Sequence, residues 1–277
     1  MPDGTNFQRF NSVEMQDIFD INGNAIPNSQ CVMDLDTNKV LGVHGNRYTL
    51  VRHEDVLQST VDAVRRANVS QDYELKVIDI DSGRKLRAEL LFNDLVVEPK
   101  VGDYVQFRVS VFNSYDASWS YSQSADGLRL WCLNGCTSAD HTAMHRFKHT
   151  ANIDVNAATR KIGVGLDTFM TNPDRWRRWM NTPVYDAEVE AFFKATLAKK
   201  ASRQIEDQVN VKQLEYLLQL WSNEKASLGS NAWAFYNAMT YWSSHTSDST
   251  SPEGTRRRRE DMLAMTLRTS YWNAITN

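Results

Sequence analysis

The stretch YELKVIDIDSGRKLRAELLF, residues 73–92, decides how the chain is read. Tyr73, Leu75 and Val77 alternate with Glu74 and Lys76, the period of a strand with one face turned inward. Asp81-Ser82-Gly83 supplies turn chemistry, because Asp and Gly tolerate the backbone of a tight reversal. Lys85–Phe92 then returns as a second strand. Two strands joined so closely pair antiparallel, since a parallel pair needs a long crossover.

The same period recurs on both sides. In VQFRVSVF (105–112), Val105, Phe107, Val109 and Val111 share one face. Upstream, Cys31–Met33, the turn Asp36-Thr37-Asn38, Val40–Val43 and Tyr48–Val51 read as a meander with Gly42 and Gly45 at tight points. Downstream, Asn113–Ser118 is a turn cluster, followed by short strands at Trp119–Ser122 and Leu128–Trp131. One helix interrupts the strands: over His53–Ala67, Val56, Leu57, Val61 and Val64 fall on a single face.

Past Cys136 the period changes. Residues 141–166 read as helical. Asn172-Pro173 and Thr182-Pro183 look like helix starts, with a capping side chain followed by proline. Val211, Leu214, Leu217, Leu218 and Trp221 mark one helical face, and Ala232, Phe235, Tyr236, Met239 and Trp242 mark another. The expected fold is therefore α+β: a curved antiparallel sheet of about five or six strands over residues 31–135, packed by helices over 139–245. Residues 1–30 are expected to be irregular, and 246–277 to be a linker with a terminal helix.

The 277 residues suffice for one large domain or two small ones, and 42% hydrophobic with 23% charged residues is ordinary globular usage. No basic segment followed by an apolar run opens the sequence, and no stretch approaches the ~18 apolar residues of a membrane span. Cys31, Cys132 and Cys136 are too few for a disulfide framework. The expectation is a cytoplasmic protein with no membrane partner. Charge is unevenly spread: residues 1–140 carry 13 Lys and Arg against 20 Asp and Glu, whereas 141–277 carry 18 against 14.

Four constellations merit weighing. Cys132, Cys136, His141, His145 and His149 are zinc-ligand types, and the histidines are spaced to share a helix face. Yet the spacing matches no standard zinc pattern, and small core thiols with a surface histidine stripe are the plainer reading. No metal or cofactor is expected. Arg146, Lys148, Arg160, Lys161 and the run Arg175-Trp176-Arg177-Arg178-Trp179 combine cations with aromatics, the combination that holds single strands without reading sequence. The competing reading buries Trp176 and Trp179 on one helix face, with the arginines around them. Arg256–Arg259 is either a phosphate-binding arm or the first turn of a helix. His44 and His53, beside Arg52 and Asp55, can be drawn as an acid–base pair, although such histidines are more often structural. No Walker loop, dinucleotide fingerprint or nucleophile elbow occurs.

Four stretches in order carry a resemblance: VLGVHGNRYTLV (40–51), NSYDAS (113–118), LWCLNG (130–135) with KHT (148–150), and NAWAFYNAMTYWSSH (231–245). Together they resemble an uncharacterised phage- and plasmid-associated family, domain of unknown function 932. The resemblance implies no settled activity and no catalytic residues. It directs attention to Gly42, Gly45, Tyr48, Cys132, Asn134, His149 and Asn237. A looser architectural analogy runs to Rad52-like single-strand annealing proteins of phages.

The function expected is that of a non-enzymatic nucleic-acid-binding protein, acting in single-strand DNA annealing during replication or recombination, as a homo-oligomer. Arg146, Lys148, Arg160, Lys161, Arg175, Arg177 and Arg178 would hold phosphates, and Trp119 and Tyr121 would stack on bases. The alternatives are a self-assembling protein that ignores DNA, and a zinc-dependent enzyme.

Overall fold

In the computed structural model the described residues are 10–130, 134–136, 144–147, 149, 162–199, 209–246 and 249–276, and of 134–136 and 144–147 only the backbone is described. Strands lead and helices follow, as an α+β reading requires. The strands are β1 (Val13–Phe19), β2 (Ala25–Asp34), β3 (Lys39–Gly45), β4 (Tyr73–Ile80), β5 (Lys85–Lys100), β6 (Asp103–Ser114), β7 (Tyr121–Arg129), β8 (Asn134–Cys136) and β9 (Met144–Phe147). The helices are α1 (His53–Arg66), α2 (Ile162–Asn181), α3 (Asp186–Ala195), α4 (Val211–Leu228), α5 (Ala232–Ser244), α6 (Pro252–Thr266) and α7 (Ser270–Thr276). Among the described residues no helix is long and apolar enough to cross a membrane.

The strands form two sheets where one was expected. β1-β2-β3 make a three-stranded antiparallel sheet, and β4-β5-β6-β7-β8 a larger one, with β9 also paired to β7. The β4–β5 hairpin has the expected register, with Tyr73 opposite Phe92 and Ile80 opposite Lys85. Asp81, Ser82 and Gly83 at its turn all have positive φ.

The chain forms two compact units. The first comprises Met1–Leu95, Arg108–Ala125 and His141–Leu166; the second comprises Val96–Phe107, Asp126–Asp140 and Asp167–Asn277. In the first, Val13, Val32, Leu41 and Tyr115 form a buried cluster with Met15, Tyr48 and Leu50 against it. α1 buries Val56, Leu57, Val61 and Val64, the face that its sequence marks. In the second, the core is aromatic. Trp176 lies 5.4 Å from Trp233, and Trp179 lies 5.1 Å from Tyr236 and 5.3 Å from Trp272, centroid to centroid. Such tilted and edge-on pairs add to the stabilisation from area burial alone.

Several expectations are corrected. Residues 10–30 hold β1 and the start of β2 rather than irregular chain. Their alternation is diluted because most of their side chains face water (Val13 is buried, Glu14 exposed). Within residues 141–166, Met144–Phe147 is a strand rather than helix, Ile162 onward is helical, and 141–143, 148 and 150–161 lie outside the described residues. Pro173 lies inside α2 instead of starting a helix. Pro183 bridges to Asn231, and α3 starts after it with Tyr185 at its N-cap. One strand, β7, replaces the two short strands expected between residues 119 and 131. The terminal helix is two, α6 and α7.

Candidate functional site

In the first unit a set of buried polar side chains forms a connected cluster. Asn113, near the end of β6, is its hub. Its Nδ2 donates to the Val51 carbonyl at 2.8 Å and to His53 Nδ1 at 3.0 Å, and its Oδ1 accepts from His149 Nε2 at 2.7 Å. A carbonyl only accepts, so Val51 fixes which end of the amide carries the hydrogens. It follows that His53 Nδ1 is a bare acceptor. Its Nε2 carries the proton and donates to the Gly83 carbonyl at 3.1 Å. Both nitrogens of His53 are spoken for in the neutral form.

Tyr115 is the second hub. Its hydroxyl accepts the main-chain N–H of His53 at 2.9 Å. Arg52 at the N-cap of α1 makes no side-chain cap bond, so a tyrosine just past the end of β6 satisfies one of the donors that a helix start leaves open. The Tyr115 ring stacks on His53 at 3.9 Å, and its carbonyl accepts from His44 Nε2 at 2.6 Å. His44 stacks on Tyr48 at 3.7 Å, and Tyr48 lies 5.3 Å from His149. Gly42 makes this approach possible. A Cβ there would strike the Tyr115 carbonyl oxygen, and would lie 2.6 Å from His44 Nε2 and 2.9 Å from Asp116 Cα.

Electrostatics follow from burial. Desolvation disfavours imidazolium and pushes His53 down to about 3 and His149 down to about 4. It raises the hydroxyls of Tyr48 and Tyr115 well above the usual phenol range. Neighbouring ion pairs are buried as well: Glu89 accepts from Arg87 at 2.6 Å and Arg108 at 3.0 Å. A cavity of about 60 Å³ touches the cluster, lined by His53, Tyr115, Asp34, Asp79 and Lys85 among others. Those polar groups bind their own neighbours. Asp34 accepts from Asn11 and the Asp36 and Thr37 N–H groups, Asp79 accepts from Gly83, and Lys85 pairs with Asp81 and Asp116. The cluster is a neutral clamp that joins α1, β3 and β6. His44 and His53 are not an acid–base pair, because each bonds a separate carbonyl.

The second unit has its own buried network. Asp103 at the start of β6 accepts from Arg129 of β7 and from Trp233 Nε1 of α5 at 2.9 Å. Arg129 also reaches Glu224 of α4 at 3.1 Å, and desolvation pushes the Glu224 carboxyl upward.

The residues assigned to phosphate or base contact fall in different places. Lys148, Arg160 and Lys161 lie outside the described residues, and only the backbone of Arg146 is described. On α2, Arg175 is half-buried while Arg177 and Arg178 are exposed, and Trp176 and Trp179 beside them are buried. Arg177 meets Asp174 at 2.9 Å, a solvent-exposed pair. Trp119 and Tyr121 are both buried, so neither offers a ring face to a base. The four-arginine run is no free arm either. Arg259 is buried and caps the end of α5 through the Trp242 and His245 carbonyls at 3.1 and 3.0 Å. Of the zinc-type set, Cys132 and His141 lie outside the described residues, as do the side chains of Cys136 and His145, and His149 is bonded to Asn113.

Sequence reasoning reached Gly42, Tyr48 and His149 through the resemblance, and these three do converge. It missed Asn113 and Tyr115, which it read as turn residues. Their one signal was their place in the stretch NSYDAS.

Fold and site together define an α+β protein with antiparallel sheets in its first half, helices in its second, and internal histidines locked as neutral hydrogen-bonding groups. The chain belongs to the family described as domain of unknown function 932, whose model matches residues 40–272. No curated protein and no solved structure matches it.

Proposed function

We propose that this chain is a nucleic-acid-binding protein that holds the phosphate backbone, with single-stranded DNA as its substrate and strand annealing in replication or recombination as its activity. One observation carries the reading: Arg177 and Arg178 stand exposed on α2, while Trp176 and Trp179 of the same turns are buried and hold the helix in place. Rigid presentation matters because cations fixed in position lose less freedom when they meet a phosphate. The excess of basic over acidic residues in 141–277 supports it. With Trp119 and Tyr121 buried, contact would run through the backbone, and binding would be indifferent to sequence. A mobile element's replication in the cytoplasm of its host is the proposed setting, and the working form is a homo-oligomer.

The test is fluorescence anisotropy of a labelled single-stranded oligonucleotide, titrated at several salt concentrations. The expected result is binding that weakens with salt, and a log–log slope that falls by about 1.4 in Arg177→Ala/Arg178→Ala, because each single-strand phosphate contact contributes about 0.7. An unchanged slope in the double variant, or no binding at micromolar protein in low salt, refutes the reading.

A further inference from the structure

We infer that the groove between β1 and the start of α1 binds a free α-amino acid with an apolar side chain, held by both of its charges. The site is separate from the cations of α2, so it stands or falls apart from the nucleic-acid reading. The groove has a volume of about 270 Å³ and lies within the first unit, with Phe10, Val13, Leu35 and Tyr115 among its walls. That is room for one small molecule, near the lower end of the range for ligand sites. It shares Tyr115 with the smaller cavity described above, but its charged groups are not taken up by the fold.

Three charged side chains line the groove, Arg52, Glu14 and Glu54, all of them exposed. Among the described residues they do not pair. Arg52 Nε donates to the Val13 carbonyl at 3.4 Å, which leaves both terminal nitrogens of the guanidinium open. Glu14 accepts only from the Gln16 amide, at 2.6 Å, and the Glu54 carboxylate from nothing. Opposite charges that share a groove without meeting leave a gap for a molecule carrying both signs. Tyr115 adds a buried donor. It is 2% exposed, and its hydroxyl accepts the His53 N–H at 2.9 Å. His53 stands between Arg52 and Glu54 in the chain, so the hydroxyl end of the ring is the part that meets the groove. Its own proton has no acceptor among the described residues, and burial holds that proton on the oxygen. A phenol so deeply buried normally finds an acceptor. A carboxylate satisfies both open donors, Tyr115 and Arg52, and the ammonium beside it meets the glutamates. A simple anion would face Glu14 and Glu54, and a simple cation Arg52, so the charges select a zwitterion. Phe10, Val13 and Leu35 give its side chain apolar contact.

Isothermal titration calorimetry on the full chain tests this with L-leucine and its two halves: isocaproate, which lacks the ammonium, and isoamylamine, which lacks the carboxylate. Leucine should bind at one site, and each half about tenfold to a hundredfold more weakly, the worth of a hydrogen bond to a charged group. Arg52→Gln should erase the preference for leucine over isoamylamine. Glu14→Gln/Glu54→Gln should erase the preference over isocaproate. All three side chains are exposed, so the free variants should keep the wild-type melting temperature, and the comparison of leucine with its halves on the wild type needs no variant. No binding of leucine at about 10 mM, either half binding as tightly as leucine, or an Arg52→Gln variant that keeps the full preference overturns the inference. Arg177→Ala/Arg178→Ala should bind leucine as the wild type does, which keeps this result distinct from that of the oligonucleotide titration.

Discussion

Lowering the pH from 7 to 5 should destabilise the first unit through His53 and His149. In the unfolded chain a histidine titrates near 6.5, whereas burial holds His53 at about 3 and His149 at about 4. The unfolded chain therefore takes up protons first. The stability contributed by the neutral rings is complete above pH 6.5 and is lost as pH falls toward the folded values. For His53 the loss between pH 7 and pH 5 comes to about 2 kcal/mol, and for His149 to nearly the same, giving about 4 kcal/mol if the two act independently. That is a large part of the 5–15 kcal/mol that typically separates folded from unfolded chains. Within the first unit Asp34 and Asp116 are held below their ordinary range and stay ionised across the window, and the raised Glu224 carboxyl belongs to the second unit. Urea midpoints followed by tryptophan fluorescence at pH 7 and pH 5 measure the effect. His53→Gln lowers stability at both pH values, but its pH-dependent loss should be only about half that of the wild type. Equal pH-dependent losses in variant and wild type would falsify the neutral clamp.

Two other substitutions probe the frame. Gly42→Ala places a methyl group against the Tyr115 backbone and should cost about 1–3 kcal/mol in a urea titration. Gly45→Ala, whose Cβ would meet only the Asn28 carbonyl at 3.6 Å, should be nearly silent, and equal costs would contradict the close approach at Gly42. Asp103→Ala takes the carboxylate from buried Arg129 and Trp233 and should cost about 3–5 kcal/mol, readable as a lower melting temperature. A change of a few tenths would show that the pair carries little of the second unit's stability.

What the sequence made legible was local. The hairpin at 73–92 and the helix at 53–66 announce themselves, because each sets its own period and its own turn or apolar face. The failures are of two kinds. β1 and the outer part of β2 are largely solvated, so they lack the apolar alternation that marks a half-buried strand. β6 errs the other way. Its apolar face was read correctly, but Gln106, Arg108 and Ser110 on the opposite face are buried too, and Arg108 reaches the interior by pairing with Glu89 of β5. Nothing along residues 105–112 reports that partner. The clamp was hidden for the same reason: Asn113 draws Val51, His53 and His149 together from segments far apart in the chain. Asn210 and Asn231, which cap α4 and α5 by accepting from Gln213 and Ala234, carried a readable signal that was passed over in favour of the two proline sites.

The distribution of satisfied groups also decides where function is to be sought. In the first unit the imidazoles, Asn113 and the acids along the cavity already bind their neighbours, so a ligand there would have to displace bonds that hold the fold. The exposed set is different in kind: cations on α2, a cation with a methionine on α6, and an apolar tip on an acidic ribbon. Phosphate binding through Arg177 and Arg178 is driven by counterion release and weakens steeply as salt rises. Raising salt should therefore strip oligonucleotide from the protein, and binding indifferent to salt would mean that Arg177 and Arg178 carry none of it.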